Sequence, residues 1–184
     1  MIIPDNLTKG DLVLIIAPAR KVELDQLEAA EKLLNDWELT VERAPNLMQS
    51  LGVFAGSDNS RKSDLQWALD HPKAKAIWCF RGGYGTIRLV ENLNPEAFLK
   101  NPKWLIGFSD ITVLHCFSNI ILNTASVHAT MPTNIQENTA ESLSSLKKVL
   151  FNKSMNFSWN PNENNRLGEI DAELIGGNLS ILTS

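Results

Sequence analysis

The chain has 184 residues, enough for one domain of medium size or for one domain and part of a second. Its hydrophobic fraction of 43% and charged fraction of 21% are ordinary for a folded soluble protein. Seventeen basic residues against 21 acidic residues give a net charge of -4. Because phosphate binding needs a basic face, this balance argues against nucleic acid as the main partner.

We find no cationic start followed by an apolar segment, so we expect no signal peptide. The longest apolar runs are about six residues, far short of the roughly 20 that span a bilayer. Cys79 and Cys116 both lie in apolar runs and are interpreted as small buried hydrophobic residues. These features together favour a cytoplasmic protein without membrane contact.

Strand-like and helix-like patterns alternate along the chain. The first strand, a continuous apolar run that ends before Pro18, is typical of a buried parallel strand. The predicted strands are 12–17, 39–44, 76–80, 104–108 and 126–129. Apolar residues recur at helical spacing within 24–37, 65–69, 87–90, 111–121 and 143–150.

This alternation predicts an α/β fold with a doubly wound, mostly parallel sheet of the flavodoxin-like or Rossmann-like kind. Such sheets bind ligands at the carboxyl ends of their strands. The loops expected to carry function are therefore 18–20, 81–85, 107–110 and 128–132.

The amino-acid composition becomes more polar after residue 151. We assign 1–150 to an N-terminal α/β domain, 151–167 to a polar linker that contains Pro161, and 168–184 to the beginning of an incomplete C-terminal domain. Residues 170–175 alternate like a strand, and Gly176-Gly177-Asn178 follows them. We therefore expect a second strand-turn-helix unit that has begun and is not finished.

Ser109 lies at a predicted strand-to-helix junction, two residues after Gly107. This position lifts a serine hydroxyl out of the sheet and places it at the positive end of a helix. Ile111 stands where a hydrolase elbow has a second glycine, so the match is partial. Two interpretations stay open: Ser109 is a nucleophile, or it caps the helix while Asp110 complements the helix dipole.

The segment Arg81-Gly82-Gly83-Tyr84-Gly85 also follows a predicted strand. Glycine-rich turns allow backbone N–H groups to approach an anion, which could be a phosphate, an oxyanion or a substrate carboxylate paired with Arg81. The segment matches neither a Walker A motif nor a complete dinucleotide fingerprint. A plain tight turn before a helix is the remaining alternative.

No histidine has the spacing to a carboxylate that would indicate a catalytic triad with Ser109. His128 ends a predicted strand and could line the site, whereas His115 is expected to point away from the serine. The acidic residues show no metal-ligand pattern. We therefore predict neither a metal nor a cofactor.

Taken in order, these segments resemble the LD-carboxypeptidase (muramoyltetrapeptide carboxypeptidase) family of serine peptidases. The match to the family pattern is nearly complete in the Ala-Ile-Trp to Arg-Gly-Gly-Tyr-Gly segment and in the Gly-Phe-Ser-Asp-Ile-Thr segment. The matching segments are 9–13, 17–18, 61–65, 76–85, 107–115, 128–131 and 176–179. The resemblance covers essentially the whole chain.

The resemblance implies that Ser109 attacks an L,D-peptide bond and releases a C-terminal D-amino acid. The usual substrate is a cytosolic murein tetrapeptide in peptidoglycan recycling, and the product is D-alanine. The family's oxyanion hole corresponds to the N–H groups of Asp110 and of Gly82 or Gly83, and its triad Glu and His belong to the C-terminal domain. The isolated chain is therefore expected to be nearly inactive.

The resemblance also leads us to place Arg81, Tyr84 and His128 in substrate binding. In two segments this sequence departs from many members: Ala19-Arg20 replaces a Pro-Ser-Ser or Pro-Ser-Gly ending, and Ala129-Thr130 replaces Gly-Pro. Both lie near the expected pocket, so the identity of the substrate is left open.

Other functions stay open as well. Related microcin-immunity carboxypeptidases cleave a peptidyl-nucleotide, and a non-catalytic α/β module could bind an anion or nucleotide at residues 82–85. A catalytically dead fragment kept for folding or assembly is a further alternative. We expect a small peptide as the partner and neither nucleic acid nor a membrane, with a homodimer as one open oligomeric state.

Overall fold

The computed structural model describes residues 1–151, 158, 160–166 and 168–183. The predicted linker includes 152–157, 159 and 167, which lie outside the described residues, as does Ser184. Five strands form one sheet: β1 (Leu12–Ile16), β2 (Thr40–Arg43), β3 (Ala74–Cys79), β4 (Trp104–Gly107) and β5 (Val127–His128). The helices are α1 (Leu24–Asp36), α2 (Asp58–Asp70), α3 (Glu96–Lys100), α4 (Thr112–Ile120), α5 (Ala140–Leu150) and α6 (Leu179–Leu182).

The sheet is parallel throughout, with strand order β2-β1-β3-β4-β5. This is the flavodoxin-like doubly wound order, so the predicted fold class is confirmed. The central strands β1, β3 and β4 are almost completely buried, as their continuous apolar sequences require. Beside them, β2 is an edge strand that carries charged and half-exposed residues.

The helices cover the sheet with their apolar faces. α1 and α5 lie on the same face, where Leu34, Leu146 and Trp78 of β3 line one small apolar cavity. α2 packs against β1 and α3, and its N-terminus is capped by Ser57, whose hydroxyl accepts a hydrogen bond from the Ser60 N–H. Among the described residues, no helix is both long and apolar enough to cross a membrane.

Two predicted elements differ from the structure. The helix expected within 87–90 is a single 3₁₀ turn, Thr86–Arg88, because positive φ angles at Gly85 and Asn92 interrupt the helical path on either side. The expected strand at 170–175 is not formed in the described part of the chain, where Ile170 and Leu174 are 90% and 93% exposed. A strand needs a neighbouring strand for its backbone polar groups, and this segment pairs with none of the five.

Candidate active site

The glycine-rich turn and the serine turn meet at one edge of the sheet. β3 and β4 are adjacent and in parallel register, with Ile77 opposite Leu105, so the loops that follow them emerge side by side. A methyl group on Gly82 would lie 3.1 Å from the backbone nitrogen of Asp110 and 3.2 Å from Ser109 Oγ. The predicted convergence of these two loops is therefore present.

Ser109 has the backbone geometry of a forced turn. Its φ is 61°, in the left-handed region that costs an L-residue roughly 1–2 kcal/mol, and a 3₁₀ turn then leads into α4. Gly107 has no room for a side chain, because a methyl group there would lie 2.9 Å from Ile111 Cγ2. The positive φ expected for an elbow serine is thus observed, and Ser109 is half-buried rather than enclosed in the core.

Asp110 links the two loops through its side chain. Its buried carboxylate accepts a hydrogen bond of 3.0 Å from the Thr86 N–H and one of 2.7 Å from the Thr86 hydroxyl. The backbone nitrogen of the same residue lies on the side of Gly82. Asp110 therefore presents its N–H beside Ser109, and its carboxylate holds Thr86 at the end of the glycine-rich turn. This role of Thr86 was not predicted from the sequence.

Arg61 is a second support for the glycine-rich turn. Its side chain is buried, and Nη1 donates to the carbonyl oxygens of Pro18 and, at 3.2 Å, of Gly85, while Nη2 pairs with Asp58. The guanidinium also lies over the ring of Phe54, 5.1 Å from its centroid. Its sequence context alone does not predict this role for Arg61. The available signal is its place four residues before the buried Leu65 on one helical face.

Arg81 and Tyr84 both lie at the rim of the site. Arg81 is half-buried, and its Nη1 makes a long contact of 3.5 Å with the carbonyl oxygen of Lys21. In the described part of the chain Arg81 forms no salt bridge, so no protein carboxylate neutralises its charge there. Tyr84 is exposed, and the guanidinium of Arg88 stacks over its ring at 4.9 Å.

The histidines lie on the β5 side of the site. His115 Nε2 is 2.9 Å from the carbonyl oxygen of Gly107, and Nδ1 is 2.8 Å from the hydroxyl of Ser126. A carbonyl can only accept, so Nε2 carries the proton and Nδ1 accepts from the serine in the neutral ring. Burial lowers the pKa of His115, which favours this neutral form. Both ring nitrogens of His115 therefore have hydrogen-bond partners other than Ser109.

His128 is exposed, and its ring lies 5.7 Å from that of His115 and 6.1 Å from that of Phe108. Within the residues that the structure describes, no histidine is hydrogen-bonded to Ser109. No group of three or more His, Cys, Asp or Glu side chains in that same part of the chain could hold a metal ion.

The C-terminal segment lies against the helix that begins at the serine. The Asn178 N–H donates to Thr112 Oγ1 at 2.8 Å, and Asn119 donates to Glu173 at 2.6 Å. A cleft of about 470 Å³ separates residues 174–177 from α4 and is lined by both His115 and His128. The segment after residue 168 therefore approaches the site while its own apolar side chains stay exposed.

Comparison with known proteins gives a consistent relationship. The profile of the LD-carboxypeptidase N-terminal domain matches residues 13–129. A probable murein peptide carboxypeptidase of Bacillus subtilis is 32% identical over 98% of this chain. The chain spans 58% of the length of that relative.

Solved structures agree with the sequence relationship. An MccF-like protein from Bacillus anthracis superposes with a TM-score of 0.72 at 25% identity, over 82% of this chain and 47% of its own. The muramoyltetrapeptide carboxypeptidase from Oxalobacter formigenes superposes with a TM-score of 0.64 at 25% identity, over 75% of this chain and 47% of its own. Because the matched profile covers more than half of the chain, this chain belongs to the LD-carboxypeptidase family.

Proposed function

We propose that the whole protein is a serine carboxypeptidase that hydrolyses an L,D-peptide bond and releases a C-terminal D-amino acid. The observation that carries this proposal is the strained Ser109 turn, with φ of 61°, set against Gly82 and the N–H of Asp110. Backbone strain in an element that the surrounding residues hold in place is typical of catalytic turns. The names of the relatives support murein peptides as the substrate class.

In this mechanism the Ser109 hydroxyl attacks the carbonyl carbon of the terminal peptide bond. The carbonyl oxygen becomes an oxyanion, held by the N–H of Asp110 and by one from Gly82 or Gly83. The tetrahedral intermediate collapses, the terminal amino acid leaves with a proton, and water then hydrolyses the acyl-enzyme. The Asp110–Thr86 hydrogen bonds keep the two donor loops together throughout these steps.

The attack requires a base that accepts the proton of the serine. No histidine is hydrogen-bonded to Ser109 among the described residues, and Nε2 of His115 is occupied by its 2.9 Å hydrogen bond to the carbonyl oxygen of Gly107. We assign the base and its orienting carboxylate to a second domain, of which 168–184 is the beginning. The contact of Asn178 with Thr112 supports this placement, because it brings that segment to the helix of the nucleophile.

Substrate recognition is assigned to the side chains around the opening. Arg81 would pair with a substrate carboxylate, since a guanidinium matches that geometry, and Tyr84 and His128 would contact the peptide. The substrate we expect is a cytoplasmic murein tetrapeptide from peptidoglycan recycling, with D-alanine as the released residue. No cofactor has a part in this chemistry.

A second candidate function is supported by the structural similarity to the MccF-like protein from Bacillus anthracis. A microcin-immunity-like enzyme would perform the same acyl transfer on a peptidyl-nucleotide. The exposed ring of Tyr84, already stacked with Arg88, offers a flat surface to a base.

A fluorophosphonate probe tests the nucleophile directly. We expect covalent labelling of Ser109 in the whole protein, located by peptide mass spectrometry, and no labelling of Ser109→Ala. Hydrolysis of a murein tetrapeptide and of a peptidyl-nucleotide, measured side by side, then separates the two candidate substrates. Nucleotide binding without labelling would instead support a non-catalytic module and reject the peptidase.

A further inference from the structure

Arg20 lies directly on the glycine-rich turn. A methyl group on Gly83 would be 2.6 Å from Arg20 Nε and 2.7 Å from both Cγ and Cδ. The φ of Gly83 is 127°, so this position favours glycine for conformational reasons as well. The Arg20 side chain therefore occupies the space that the missing side chain of Gly83 leaves open.

The backbone holds Arg20 in this position from both sides. Arg20 forms an antiparallel bridge with Phe54, and the next residue, Lys21, donates its N–H to the carbonyl oxygen of Val53 at 3.1 Å. The Arg81 guanidinium contacts the carbonyl oxygen of Lys21. The loop after β1 thus places Arg20 against Gly83 and also contacts Arg81, which follows β3.

Neither guanidinium is neutralised by the protein. The neighbouring Lys21 forms a salt bridge with Glu23 at 3.6 Å. Within the described ranges, no salt bridge includes Arg20 or Arg81. Arg20 is exposed, so it can receive a ligand from solvent. Two unpaired guanidinium groups beside backbone N–H groups form a site for a small carboxylate.

The position of Arg20 beside the nucleophile fits one particular carboxylate. Gly83 is adjacent to Gly82, where an added methyl group would lie 3.2 Å from Ser109 Oγ. When a peptide loses a single terminal residue, its carboxylate lies one residue from the carbonyl under attack, about 3.5 Å along an extended chain. Because Arg20 lies against Gly83, and the oxyanion donor is Gly83 or the adjacent Gly82, its guanidinium can reach the terminal carboxylate.

We infer that Arg20, assisted by Arg81, binds the C-terminal carboxylate of the substrate and makes this protein select free carboxyl termini. This inference rests on the proposed peptidase function and adds the residue that determines specificity. It also gives a use to Arg20, at a position where many family members carry a small residue. Arg20 positions the terminal residue and takes no part in bond breaking.

The experiment compares two ligands that differ only at this group. A murein tetrapeptide with a free D-alanine carboxylate and the same peptide ending in D-alanine amide are titrated into the chain in a Ser109→Ala background. Isothermal calorimetry and the amide NMR signals of Gly82 and Gly83 report binding. The variants are Arg20→Gln, Arg20→Lys and Arg20→Ser, with Lys9→Gln as the control that removes one charge before the start of β1.

We expect the acid to bind about tenfold more tightly than the amide. This gain in affinity is at the low end for a charge-assisted hydrogen bond, because Arg20 is exposed to solvent. Arg20→Gln and Arg20→Ser should remove most of this preference without weakening amide binding, because only Arg81 then remains. Arg20→Lys should retain more of it, and Lys9→Gln should retain all of it. The preference should also fall as ionic strength rises.

Equal binding of acid and amide by the parent chain, or an unchanged preference in Arg20→Gln, would overturn the inference. Fluorophosphonate labelling of Ser109, measured separately with the serine present, keeps the two proposals distinct. Labelling without an effect of Arg20 rejects this subsite and leaves the peptidase. An Arg20-dependent preference without labelling rejects the peptidase and leaves a carboxylate-binding site.

Discussion

Replacing Gly82 with alanine should remove the catalytic activity and leave the fold intact. The added methyl group would lie 3.1 Å from the Asp110 nitrogen and 3.2 Å from Ser109 Oγ. An oxyanion must come within about 2.7–3.1 Å of the same nitrogen, so the methyl group and the oxyanion compete for one space. Loss of one such donor lowers turnover by about 10²–10³-fold, and we expect a decrease of at least this size.

The expected cost to stability is small. The φ of Gly82 is not in the left-handed region, so alanine does not strain the backbone there. Overpacking costs about 1–3 kcal/mol, and the stiffer unfolded chain offsets about 0.4–1 kcal/mol. The net change should be at most about 2.6 kcal/mol, which lowers the melting temperature by no more than about 10 °C in a protein of this size.

The assay is hydrolysis of a murein tetrapeptide by the whole protein, with thermal unfolding of the same samples. Gly168→Ala is the matched control, because nothing lies within 4 Å of the added carbon and its φ is not in the left-handed region. Turnover within about threefold of the parent in Gly82→Ala would refute the oxyanion hole described above. A large loss of stability would refute the packing argument instead.

Three further outcomes are expected. Arg81→Lys should raise KM for the tetrapeptide more than it lowers kcat, since lysine keeps the charge and loses the bidentate geometry; the opposite pattern in steady-state kinetics would make Arg81 catalytic or structural. The 184-residue chain should hydrolyse the tetrapeptide far more slowly than a version as long as its relatives, and equal rates would place the base within this chain, with His128 tested first. Burial lowers the pKa of Lys103 from 10.5 to about 8. Between those pH values the unfolded chain therefore binds a proton that the folded chain does not. The contribution of Lys103 to the free energy of unfolding should rise with pH across that window, by at most about 3 kcal/mol. Urea unfolding of the parent and of Lys103→Met at several pH values checks this, and parallel curves would contradict it.

Much of the fold follows from local patterns in the sequence. The buried strands β1, β3 and β4 are continuous apolar runs, and such runs form strands when both faces of a sheet are covered. The loops at their carboxyl ends were therefore predictable as the place of the site. The glycine and serine turns could be named because few residues tolerate these conformations.

Contacts between distant segments could not be read in the same way. The buried Arg61 bonds to carbonyl oxygens of two loops, and neither partner is encoded by spacing along the chain. The same holds for Thr86 and Asp110, which meet only because their strands are neighbours. The expected strand at 170–175 shows the converse error, since an alternating pattern cannot form a strand without a partner strand.

The link between Thr86 and Asp110 also bears on how the site assembles during folding. These residues are 24 positions apart, and β3 and β4, which carry the two turns, are consecutive along the chain. The entropy cost of closing a loop grows with its length, so this closure is among the less costly long-range steps in the sheet. The two turns therefore follow the two strands of one strand-helix-strand unit, and the oxyanion donors can take their places before the residues after β5 have been synthesised.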